Sequence, residues 1–123
     1  MTFRKSLACF MVVLCFCSGC APKADSKRSI EKIQQAVTTM PAAEIESYAI
    51  AYAAAIRAQK AEIAKIQARI QTMPVDKVFN DQGLTRRIAE IGRKAEALFE
   101  RYRIYVKALE EKGGDLSKVK LEP

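Results

Sequence analysis

Histidine is absent from all 123 residues. With it go the commonest general base and the commonest metal ligand. Cysteine is absent past position 20: Cys9, Cys15, Cys17 and Cys20 all lie at the start. A chain trimmed to Cys20 would keep one cysteine, so no disulfide would form within it and packing must supply its stability. Glycine is scarce, and Gly113-Gly114 reads as a helix stop rather than a phosphate-cradling loop. No carboxylate pair stands out as the acid and base of a glycosidase. Ser26, Ser29, Ser47 and Ser117 lie in no nucleophile elbow and have no His to partner them. A Ser–Lys pair would have to draw on lysines that belong to solvated faces. Catalytic residues, a metal site and a cofactor are therefore not expected.

What is present begins with Arg4 and Lys5, followed by the apolar run 7–17. Eleven residues are too few for a permanent transmembrane helix, which needs roughly 20, and they suit the core of a signal peptide. Cys15-Phe16-Cys17 and Cys17-Ser18-Gly19-Cys20 have the spacing of a metal or redox pair. Inside such a run the first three cysteines read instead as small apolar residues. Ser18 and Gly19 then leave little bulk ahead of Cys20.

This order resembles the lipobox of bacterial lipoprotein precursors: usually Leu, a small residue, Gly or Ala, then Cys. Ser18, Gly19 and Cys20 fill the last three places, and Cys17 stands where Leu is usual. The resemblance covers the N-terminal fifth of the chain. It implies removal of residues 1–19 and a thioether-linked diacylglycerol on Cys20, usually with an acyl chain such as palmitate on the amine. Two or three chains anchor firmly, since each buried methylene adds about 0.8 kcal/mol. Ala21 replaces the Asp that commonly retains such proteins in the inner membrane, so the implied location is the outer membrane, facing the periplasm. An ordinary secretory cleavage near Gly19 would instead leave a soluble protein with a free thiol.

Hydrophobic residues make up 50% and charged residues 28%, the balance of a globular or long-helix chain rather than a disordered one. Losing Arg4 and Lys5 with the leader lowers the net charge from +7 to +5. Such an excess favours anionic headgroups or other acidic surfaces. Residues 20–28 read as a lipidated tether, interrupted by Pro22, with Asp25 or Ser26 as the cap of the first helix. Lys23, Lys27, Arg28 and Lys32 would lie near the lipid.

Beyond the tether the pattern is helical throughout. Ile30, Ile33, Val37 and Met40 make one apolar stripe over 29–39, and Pro41 ends it. Over 42–71, Ile45, Ala49, Tyr52, Ile56, Gln59, Ile63, Ile66 and Ile70 step alternately four and three: a heptad seam with one polar place, Gln59. Over 84–112, Leu84, Ile88, Ile91, Ala95, Leu98, Tyr102, Tyr105 and Leu109 repeat that stepping, and Phe99 and Val106 widen it to receive the first helix. Two matched seams joined by a short turn predict an antiparallel helical hairpin. The fold class is thus all-α, a small three-helix bundle over 29–112, with a polar tail over 113–123 that is either disordered or laid along the bundle. Between the seams, Val75, Val78 and Phe79 are expected to pack over the bundle end as one helical turn. Thr39-Met40-Pro41 and Thr72-Met73-Pro74 echo each other 33 residues apart, which reads as coincidence or a reused turn rather than a helical repeat. Asp in place of Ile63 or Leu98 is expected to unfold the bundle.

Arg86, Arg87, Arg93, Lys94, Arg101, Arg103 and Lys107 form the densest charge feature, interspersed with Glu90, Glu96, Glu100, Glu110 and Glu111. A mixed solvated face is the plain reading. The alternative is binding of an anionic lipid or wall polymer through Arg86, Arg87, Arg93 and Lys94. Tyr52, Tyr102 and Tyr105 occupy seam positions, as core residues or as the lining of an apolar groove. The expectation is a membrane-anchored, non-enzymatic envelope protein whose helix faces meet a protein partner or a second copy. Nucleic acid is no partner for an exported, lipidated chain.

Overall fold

A computed structural model describes residues 22–122; the leader and Cys20 lie outside them. Four helices follow in order: α1 (Ile30–Thr39), α2 (Ala42–Thr72), α3 (Val75–Asn80) and α4 (Gln82–Glu111). The described residues are all-α, with α2 and α4 packed as the long hairpin and α1 laid against α4.

The helix boundaries follow from local chemistry. Ser29, not Asp25 or Ser26, caps α1: its hydroxyl accepts from the Lys32 N–H at 3.4 Å and donates to the Glu31 carboxylate at 2.6 Å. Asp25 instead closes a local turn, accepting from the Lys27 N–H at 2.8 Å. The Asp81 carboxylate accepts from the Leu84 N–H at 2.9 Å and so starts α4 two residues earlier than the seam alone suggests. The Thr-Met-Pro echo is one turn used twice. Met40 and Met73, each before a proline, are extended (ψ 135° and 145°), as a following proline requires. The carbonyl of Pro41 accepts from Glu44 and Ile45, and that of Pro74 from Lys77 and Val78, which starts α2 and α3 alike. A Schellman turn ends α4: Gly114 N–H donates to Leu109 O, Gly113 N–H donates to Glu110 O, and Gly113 takes a φ of 70°.

The core is not spread evenly along the hairpin. Ile33, Val37, Ile45, Ala49, Tyr52, Ile56, Leu98, Tyr105, Leu109 and Val119 belong to one buried cluster. All of it lies in the half where α2 begins and α4 ends. Two further segments cover this half. On one side, the chain before α1 docks through Asp25, whose N–H and carbonyl both meet the Tyr52 hydroxyl, at 3.3 and 2.9 Å. On the other, residues 115–122 run back as a strap. Val119 is 1% exposed, its carbonyl accepts from the Tyr102 hydroxyl, and Arg57 and Lys60 donate to the carbonyls of Lys120 and Glu122. Of the two readings of the tail, it lies along the bundle.

The other half is a bare pair of helices. Of its seam residues only Leu84 and Ile91 are buried; Ile63, Ile66 and Ile70 are half-buried, and Ile88 is 39% exposed. Two expectations are corrected here. Val75 and Phe79 do not pack over the bundle end but stand 71% and 83% exposed, because α3 is short and only Met73 and Val78 reach partial cover. Nor is Phe99 the shelf for α1. It is 44% exposed and stacks on Tyr102 at 5.9 Å, while α1 flanks Glu100, Arg103, Ile104 and Lys107.

Candidate functional site

The tyrosines are core, not groove. Tyr105 is fully buried and sits between Tyr48, at 5.0 Å and nearly parallel, and Tyr52, at 5.4 Å. Arg28 lies 5.6 Å over the Tyr48 ring, a cation–π contact that ties the incoming chain to the stack. Tyr48 and Arg28 lie off the apolar stripes, and nothing in the seam pattern points to them. The Tyr105 hydroxyl is buried without a hydrogen-bond partner, and burial pushes its pKa up to about 12. Burial raises the Tyr52 hydroxyl as well, offset in part by its hydrogen bond to Asp25. Arg101 leaves the set of solvated cations: it is 9% exposed and donates to the carbonyls of Arg28 and Ala97, both at 2.8 Å.

The remaining perturbed groups also serve local structure. The Ser29 hydroxyl holds the Glu31 carboxyl below its ordinary range, and the Ser117 N–H does the same for Asp115. The neighbouring Tyr48 raises the Arg28 pKa. Each shift thus belongs to a cap, a turn or the tyrosine stack. Among the described residues no three His, Cys, Asp or Glu side chains group as a metal site.

The basic residues of the bare half lie on two stripes of α4. Arg86, Arg87, Arg93 and Lys94 are all exposed. Arg87 and Lys94 line a groove of about 200 Å³ between α2 and α4, together with Gln59, Glu62 and Glu90. Arg87 stands 3.9 Å from Glu62, which Lys65 also approaches at 3.5 Å. Arg86 and Arg93 form a second stripe about 100° away around the helix. Intervening carboxylates answer the first stripe, so a single anionic ligand would meet only part of the set. Gln59, the polar place in the seam, stands half-buried at the junction of the two halves.

A groove of about 530 Å³ runs openly between α1 and α4 and is lined by Ile30, Gln34, Glu100, Arg103, Ile104 and Lys107. Among the described residues, no helix is long and apolar enough to cross a membrane. No protein-family profile, curated protein or solved structure matches the chain. Function therefore has to be argued from these residues and from the resemblance at Cys20.

Proposed function

We propose that the chain is a bacterial lipoprotein, held to the periplasmic face of the outer membrane by lipid on Cys20. Its hairpin would serve as a non-enzymatic structural or protein-interaction element of the envelope. One observation carries this reading: two cations, eleven apolar residues, then Ser18-Gly19-Cys20. Geometry supports it in one respect. The backbone docks at Asp25, five residues after Cys20, so a lipid there would hold the folded bundle close to the bilayer. Five residues reach at most roughly 17 Å. The bare half would extend beyond that point, since Tyr52 to Thr72 spans roughly 30 Å of helix. Two uncovered helices offer a partner more contact surface than the wrapped half does.

The test is mass analysis of the protein isolated from its envelope, alongside metabolic labelling with a palmitate analogue. The expected mature chain starts at Cys20 and carries diacylglycerol, and Cys20→Ser abolishes both labelling and membrane retention. An intact amino terminus with unmodified thiols would overturn the proposal.

A further inference from the structure

We infer that the hairpin tip is a second membrane contact, at which Val75 and Phe79 of α3 enter the interfacial layer of an anionic bilayer. The two side chains stand one helical turn apart, 71% and 83% exposed, at the extremity of a protein whose other large apolar residues are mostly covered. Around them charge is weighted to one sign. Residues 69–87 carry Arg69, Lys77, Arg86 and Arg87 against Asp76 and Asp81. Among the described residues only Arg87 of these four cations joins an ion pair. An exposed apolar pair in a segment with a cationic excess is the pattern of an interfacial contact, with rings below the headgroups and ammonium or guanidinium groups among the phosphates.

Size favours a bilayer over a protein that would dock on these two side chains alone. Phe79 can offer at most about 200 Å² and Val75 less, so together they fall far short of the roughly 800 Å² per partner of a standard interface. A contact this small is useful only where something else already holds the protein at the surface. The inference rests on the anchored reading for that requirement. Lipid on Cys20 would make the tip contact intramolecular, so that a weak affinity suffices.

The chain contains no Trp, so Phe79→Trp introduces a single reporter. The full chain carrying Phe79→Trp would be reconstituted in phosphatidylethanolamine–phosphatidylglycerol vesicles with brominated acyl chains. The expected result is quenching that weakens when phosphatidylcholine replaces phosphatidylglycerol. A Glu110→Trp control, exposed at the opposite end of α4, should stay unquenched. Adding Val75→Asp to the Phe79→Trp chain should lower the inserted-to-free ratio about tenfold without changing the melting temperature. Equal quenching at both positions, or none at residue 79, overturns the contact. So does emission that shifts with protein concentration but is not quenched, which would mean that a second copy covers the tip. Mass analysis of the same sample reports the lipid separately. A lipidated chain without quenching removes the tip contact alone, and a quenched chain without lipid removes the anchor alone.

Discussion

The two halves of the α2–α4 hairpin share one four-three pattern and differ in what lies over it. Around Tyr52 and Leu98, the docked incoming chain, α1 and the C-terminal strap close the seam, and Ile45, Tyr52, Leu98 and Leu109 are each 1% exposed or less. Around Ile63 and Ile88 no further described segment is added, and the same kinds of side chain remain half-buried or exposed. A heptad seam specifies which helix faces meet; a two-helix contact leaves the flanks of that seam in water, and a third or fourth segment has to remove them. The covered half should therefore hold most of the folding free energy, and the bare half should open locally with little cooperation from the rest.

The largest expected effect separates the halves directly. Leu98→Asp puts a carboxylate into a site that is 1% exposed. It should cost about 4 kcal/mol or more and abolish cooperative melting. Ile63→Asp occupies an equivalent seam place in the bare half, where the side chain is half-buried and the carboxylate can reach water. A loss of about 1–2 kcal/mol is expected, with the transition still cooperative. That outcome revises the sequence expectation that both changes unfold the bundle. Equal losses in urea denaturation would erase the distinction between the halves.

How much of the molecule is legible in its sequence depends on the kind of signal. The hairpin is legible because apolar residues at spacings of four and three bring one face of each helix together. The Met-Pro turns are legible because a proline forces the preceding residue out of the helix. The strap is not, since Leu116, Val119 and Leu121 alternate too weakly among lysines to mark a buried segment, and their burial depends on Tyr102, Arg57 and Lys60 binding backbone carbonyls. Arg101 escapes sequence reasoning for a related reason: its partners are carbonyls, which the sequence pattern does not display. Phe79 misleads because its spacing from Val75 is that of a packing stripe on one helical turn, and here no described segment covers it. Of the candidate site, Cys20 lies outside the described residues; the spread of the basic residues around the helix is legible from the 100° step between neighbours, whereas the approach of Arg87 to Glu62 on the facing helix is not.

A smaller effect tests the sealing of the covered half. The Tyr105 hydroxyl is buried and unpartnered, so Tyr105→Phe removes an unsatisfied group while keeping the stack on Tyr48 and Tyr52. Stability at pH 7 should be unchanged or higher by about 1 kcal/mol. The pH dependence carries a definite sign. Tyr105 in the folded chain holds its proton up to about 12, whereas an unfolded tyrosine releases it near 10. Its contribution is complete below about pH 10 and falls away as the pH rises toward 12, because the unfolded chain ionises first. Melting of the parent chain should decline over that window, and Tyr105→Phe should decline less, with Tyr52 still contributing. An identical alkaline profile for the two chains would place the titrating group elsewhere.

The smallest effect is expected at Gly92, and Gly114 in the other half should show the opposite sign. Gly92 lies within α4 in the bare half, and a Cβ built there meets no neighbour within 4 Å. Gly92→Ala removes backbone freedom from the unfolded chain and adds helix propensity without a clash, for a gain of about 0.5–1 kcal/mol and a melting temperature a few degrees higher. At Gly114 a Cβ would stand 2.7 Å from Cγ of Leu109 and closer still to its Cδ1, on a fully buried side chain that cannot swing away without opening the core. Gly114→Ala should therefore lower the melting temperature and loosen the strap that begins there. Both substitutions add one methyl group to a glycine in or just after α4, so only the packing around each position can make their signs differ. A gain at both positions would mean that the strap is not held as tightly as its buried Val119 implies, and the contrast between wrapped and bare halves would shrink to the α1 side alone.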